Sequence, residues 1–152
     1  MTNHQTFFTQ DVPDLIRPLK ADQVPAWGVM SATEMVDHIL AGTQLFLSKT
    51  EMELETPEEL LPKYKLFLMS DRGFKQSAKK PVEYSQYEQA DPGDLEALKA
   101  RFIDALAKFD TITASESDFW SFHPSFGRLD AEETRQLQFK HIRHHFQQFG
   151  LL

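Results

Sequence analysis

The chain has no cysteine. That absence removes a thiolate nucleophile, a Cys-ligated zinc, an iron–sulfur cluster and any disulfide. It is compatible with a reducing compartment, and the cytoplasm is the expected location. Glycine is scarce, with six scattered along 152 residues, so no Gly-rich loop can cradle a phosphate. Positive charge is in deficit, 16 Lys and Arg against 23 Asp and Glu, for a net charge of −7. Nucleic-acid backbones require clustered Lys and Arg, and only Lys75, Lys79 and Lys80 lie close together, so no nucleic-acid partner is expected. No apolar run approaches the ~20 residues of a membrane span. Residues 1–10 lack the basic start and apolar core of a signal peptide. No membrane partner is expected either.

At 41% hydrophobic and 26% charged, the chain has the composition of an ordinary globular protein. Its length fits one domain, residues 1–152, able to bury a core without staples. Residues 1–10 are polar apart from Phe7 and Phe8 and read as frayed. Leu15, Ile16 and Leu19 at helical spacing predict a short helix over 11–21, limited by Pro18. Residues 24–28 form a linker whose Trp27 is an apolar anchor. Ser31 and Glu34 make a capping box and start a helix that runs to about 48. Met35, His38, Gly42 and Leu45 share one face of it, with Ile39 and Phe46 beside them.

Thr56-Pro57-Glu58-Glu59 predicts another helix start, with a short helix to about 70 carrying Leu60, Leu61, Tyr64, Leu66, Phe67 and Leu68. A long connection over 71–90 could lie across the mouth of a pocket. Asp91-Pro92 then opens a helix with a stripe of Leu95, Leu98, Phe102, Leu106 and Phe109, ending near 110. An aromatic-rich connection over 111–129 holds His123-Pro124-Ser125-Phe126-Gly127. Asp130 caps the last helix, favoured by Glu132 and Glu133 near its positive end, and Gly150 stops it. No stretch alternates long enough to build a sheet, and residues 82–87 are at best one edge strand. Four main helices, one or two short ones and two long connections predict an all-α four-helix bundle.

Three of the six histidines fall within His141-Ile142-Arg143-His144-His145. His141 and His145, four apart, share a helical face one turn apart. In a bundle, His38 can face them from the second helix. Three neutral imidazoles suit zinc, nickel, iron or manganese and leave positions for water or substrate. An ion so held lowers the pKa of a bound water or thiol. Taken alone, His38 on an apolar face reads as a hydrogen-bonded core residue, and an i, i+4 histidine pair arises by chance. The conjunction of the three brings the metal reading level with those.

The zinc-protease motif is absent, since no Glu follows His141, and no Ser–His–Asp order can be read. His144 either competes with His145 as the ligand or faces a neighbouring surface or the pocket rim. His123 is either an acid–base or substrate contact or part of a tight turn. His123 and His144 are thus the candidate catalytic groups. Glu34 lies one turn before His38 on the same side. His4 is given no role.

Three segments, taken together, resemble the DinB-like (YfiT-like) superfamily of metalloenzymes. They are residues 27–38, residues 123–127 and residues 141–150. The His-Pro-x-Phe-Gly segment and the closing His-His-x-x-Gln-Phe-Gly are similar to a branch carried as a domain of unknown function. The resemblance spans nearly the whole chain in order. It implies a four-helix bundle with an interior metal on one histidine from the second helix and two from the last, here His38, His141 and His145. It places Gln148 one turn beyond the last ligand, in a supporting position; Glu34, by its spacing from His38, is the other candidate support.

Relatives in that superfamily include thiol S-transferases that use bacillithiol, a mycothiol-dependent isomerase and a glutathione-dependent member. A thiol would here be a cosubstrate, since the chain supplies none. The expected function is therefore that of a metal-dependent enzyme, a thiol S-transferase or a hydrolase acting on a small electrophile. The alternative is a non-catalytic small-molecule-binding or stress-response bundle. The acidic, aromatic-rich surface also allows a homodimer.

Overall fold

A computed structural model describes residue 4, residues 6–76 and residues 94–152. The edge strand expected over 82–87, the Lys79-Lys80 pair, the Asp91-Pro92 helix start and much of the 71–90 connection lie outside the described residues. The chain is mostly helical, with one small two-stranded sheet.

The N-terminal helical segment begins earlier than its spacing predicts. A single wide turn over Phe7–Asp11 leads into α1, Val12–Ile16. Residues 6–10 are held rather than frayed because Phe7 and Phe8 are buried. Phe8 meets Phe109 edge-on at 5.4 Å, and Phe7 meets Phe139 at 4.7 Å. The segment ends before Pro18, where the Lys99 ammonium donates to the carbonyls of Arg17 at 2.9 Å and Leu19 at 2.6 Å. A buried amine with three donors to place thereby satisfies backbone acceptors at a helix end.

Helix α2, Ala32–Leu47, starts at the expected capping box: Ser31 Oγ accepts from Glu34 N at 3.0 Å, and Glu34 Oε1 accepts from Ser31 N at 3.2 Å. The sequence predicts one apolar stripe. Instead burial runs unbroken from Met35 to Thr43, because α2 is enclosed by two long helices and a hairpin. A helix apolar nearly all round belongs at the centre of a core.

A short 3-10 turn, Glu58–Leu60, runs into α3, Leu61–Met69, with Pro62 in its first turn. Its end agrees with expectation, but its apolar face does not. Only Leu68 is buried, whereas Leu66 is 76% exposed. The helix lies on the outside of α5, tied by Lys140 Nζ, which donates to Phe67 O at 2.6 Å.

Helix α4, Leu95–Ser115, is capped by Asp94 rather than by the expected Asp91, and passes the expected end near 110. Its extra turn is pinned by Arg135, which donates to Thr113 Oγ1 at 2.8 Å and pairs with Asp110 at 2.9 Å. Then come β1, Ser121–His123, and β2, Gly127–Leu129, antiparallel with Phe122 opposite Arg128. Strands of three residues are too short to show alternation, so this hairpin could not be read from the pattern.

Helix α5, Ala131–Gln148, begins at a second capping box, between Asp130 and Glu133. It closes as a Schellman motif: Gly150, at φ +69°, donates to Gln147 O at 3.1 Å, and Leu151 N donates to Phe146 O at 2.8 Å.

Helices α2, α4 and α5 pack against one another, and the N-terminal segment packs on α4. The core between them is aromatic. Phe46, Phe102, Phe109 and Phe146 are fully buried along with Leu106 and Ile142, each worth roughly 1.5–3 kcal/mol of burial. Among the described residues, no helix is long and apolar enough to cross a membrane.

Candidate metal centre

The seam between α2 and α5 carries the histidines. His38 sits seven residues after its cap Ser31, two turns into α2, and is buried. From α5, His141 and His145 face it one turn apart. The structure brings together the three residues that spacing singled out. The Nε2 atoms of His38 and His141 are 2.9 Å apart, and one candidate ligand atom from each of the three residues falls within 4.8 Å of the others. Ring centroids are separated by 4.8, 4.8 and 4.9 Å, with each pair close to perpendicular.

Two imidazole nitrogens bound to one tetrahedral ion at about 2.0–2.1 Å stand about 3.3 Å from each other. The observed His38–His141 spacing is within a few tenths of an ångström of that. The group could hold a metal ion.

Protonation suits ligation. Desolvation holds His141 well below its ordinary pKa, and the neighbouring His38, His145, His123 and His144 push it the same way. Burial thus disfavours the charged form of His141, and the neutral ring is the ligating form.

His145 is oriented from behind. Gln148 Nε2 donates to Trp27 O at 2.9 Å, which turns the amide oxygen toward His145 Nδ1 at 2.8 Å. The proton of His145 therefore belongs on Nδ1, and Nε2 keeps its lone pair. Gly28 makes this fit: at φ +79°, a Cβ there would stand 2.8 Å from Gln148 Nε2. The linker is strapped to the end of α5 by Ala26 N, which donates to Gln148 O at 2.8 Å. The sequence anticipated Trp27 as an apolar anchor, but not that its carbonyl would serve as the second link behind a ligand.

The other candidates separate. Glu34 is exposed and its carboxylate is engaged in the α2 capping box. His144 stands at the edge of the group, 5.7 Å from Trp27, 6.0 Å from Phe74 and 5.1 Å from His145 between ring centroids. That is a rim position. Desolvation lowers its pKa, aided by His38.

His123 ends β1, 6% exposed, and accepts the Ser125 N–H on Nδ1 at 3.0 Å. It belongs to the tight hairpin turn, and its charge would be felt at His141. Burial pushes its pKa down to about 3.

Two buried polar pairs on these helices and the hairpin were not anticipated. Gln138 Nε2 donates to Thr43 Oγ1 at 2.7 Å, and the Ser121 and Thr134 hydroxyls are 2.7 Å apart. Gln138 lies three residues before His141, a spacing that could have flagged it. His4 also acquires a place, stacked on Phe139 at 4.3 Å with Nε2 3.0 Å from Gln136 Oε1.

Residues 64–150 match the family described as protein of unknown function (DUF1569). No curated protein and no solved structure matches the chain. The matched stretch holds His123 and all of α5, and His38 precedes it.

Proposed function

The chain belongs to the DUF1569 family, whose function is unknown, and we propose that it is a metal-dependent enzyme holding a divalent ion on His38, His141 and His145. The observation that carries the reading is the convergence of three imidazoles from two helices in a desolvated seam, one of them with its tautomer set by Gln148. The packing of α2 with α4 and α5, and of the N-terminal segment on α4, supports the finer reading of a DinB-like four-helix bundle.

A divalent ion bound there supplies Lewis acidity, which lowers the pKa of a water or small thiol brought to its open positions. The chain's own residues do the rest. Gln148 and Trp27 O keep Nε2 of His145 available. The aromatic rim of Trp27, Phe74 and Phe67 offers apolar surface to a small electrophile. His144, half-buried on that rim, is the polar group best placed to contact it. Zinc, nickel, iron and manganese all suit the donor set. Because the chain has no cysteine, any thiol in the reaction enters as a cosubstrate.

Elemental analysis and competition titration of the purified protein test this. About one divalent ion per chain is expected, lost in the His141→Ala, His145→Ala double variant. A wild-type protein that takes up no stoichiometric metal when offered each ion, or a double variant that keeps it, overturns the reading. Saturable binding of an electrophile without turnover across a thiol panel would favour instead a bundle that binds small molecules and does not convert them.

A further inference from the structure

We infer that Gln138 is the positioning residue for His141, as Gln148 is for His145. The inference rests on the metal reading above. His141 presents Nε2 to His38 at 2.9 Å. When that atom holds an ion, the proton of the neutral ring sits on Nδ1, on the opposite side, and a metal-bound histidine donates it to an acceptor. Gln138 lies one turn before His141 on the same face of α5, the direction in which helix side chains lean; no hydrogen bond to Gln138 Oε1 is made among the described residues.

Gln138 has an acceptor to offer. Its side chain is fully buried, and Oε1 has no hydrogen-bond donor among the described residues. The amide cannot escape this by turning over. The single hydroxyl proton of Thr43 is directed to Ile39 O at 2.8 Å, so Thr43 Oγ1 must accept from Gln138 Nε2, at 2.7 Å. The oxygen is thereby held away from Thr43. An amide oxygen buried without a donor is unfavourable, and such an atom one helical turn from a candidate ligand points to a partner acquired in another state.

The stripe Gln138, His141, His145, Gln148 then reads as two ligands bracketed by two amides, each amide turned by a hydrogen bond to another segment. Thr43 of α2 turns one, and Trp27 of the linker turns the other.

Zinc affinity by competition with a chromogenic chelator tests the inference, together with Gln138→Met, which keeps length and burial but has no acceptor oxygen, and Gln138→Glu, which keeps the oxygen. Gln138→Met should bind zinc 10- to 100-fold more weakly, while Gln138→Glu retains wild-type affinity or better. Long-range proton–nitrogen NMR of the zinc-loaded wild type should show His141 protonated on Nδ1, with a downfield, slowly exchanging proton that is lost in Gln138→Met.

Wild-type zinc affinity in Gln138→Met, or an unbonded His141 Nδ1–H in the wild type, overturns the inference alone. The NMR measurement decides even if a variant fails to fold. A wild type that binds no zinc overturns this inference and the metal reading together.

Discussion

Replacing Gly28 by alanine should damage the candidate metal centre without touching a histidine. The new Cβ would stand 2.8 Å from Gln148 Nε2, whereas non-bonded heavy atoms settle at about 3.5 Å or more. The amide must retreat by roughly 0.7 Å, which pulls its bonds, now 2.9 Å to Trp27 O and 2.8 Å to His145, out of their present geometry and weakens them. Each is worth about 1 kcal/mol, and alanine at φ +79° adds about 1 kcal/mol of backbone strain. The sum is up to about 3 kcal/mol, or a fall in Tm of up to roughly 6–12 °C for a chain of this size.

Gly150→Ala is the control. Its φ is +69°, but a Cβ there meets open space, so only the strain remains, with a fall of roughly 2–4 °C. Thermal unfolding in excess chelator gives the difference between the two. Zinc competition should then show Gly28→Ala weakened by 10- to 100-fold and Gly150→Ala close to wild type. If the two variants match in both Tm and zinc affinity, the coupling from linker through Gln148 to His145 is wrong.

Acid should unfold the protein through its buried histidines. His123 titrates near 3 in the folded chain against about 6.5 when unfolded. The unfolded state therefore takes up the proton first, and stability is present above pH 6.5 and lost as pH falls toward 3. The slope is at most about 1.4 kcal/mol per pH unit for this residue, and His4, with its pKa also lowered by burial, acts in the same direction. Urea unfolding between pH 7.5 and 4 should show a shallower acid limb in His123→Gln, and an unchanged limb would count against a buried neutral ring. Lys99→Met leaves the carbonyls of Arg17 and Leu19 without their donor, so a loss of about 2–3 kcal/mol in urea unfolding is expected. Amide exchange should then rise first over residues 12–19, and uniform exchange would refute the capping role.

Features set by local chemistry were legible in the sequence. Ser31 with Glu34, Asp130 ahead of the last helix, Gly150 at its end, and the i, i+4 spacing of His141 and His145 all depend on neighbours a turn away, and each is found as expected. The meeting of His38 with that pair followed from assuming that the two helices face each other. Features set by distant contacts were hidden. The early start at Phe7 depends on Phe109 and Phe139, which lie more than a hundred residues on. The exposure of Leu66 depends on α3 lying outside α5. Gln148 was readable as a support for His145, but its hold on Trp27 O joins positions 121 apart in the chain. Gln138 and Thr43 are ordinary helix residues until two helices bring them together.

Both ligand-bearing helices begin at capping boxes, and this makes chain length a coordinate of the site. From Ser31 to His38 and from Asp130 to His141 the backbone is one uninterrupted helix. Every residue added to or removed from such a span turns the remainder of the helix by about 100° and slides it by about 1.5 Å. A deletion between cap and ligand would swing His38 out of the seam even if every side chain in the core were kept. These two spans can tolerate substitution but not insertion.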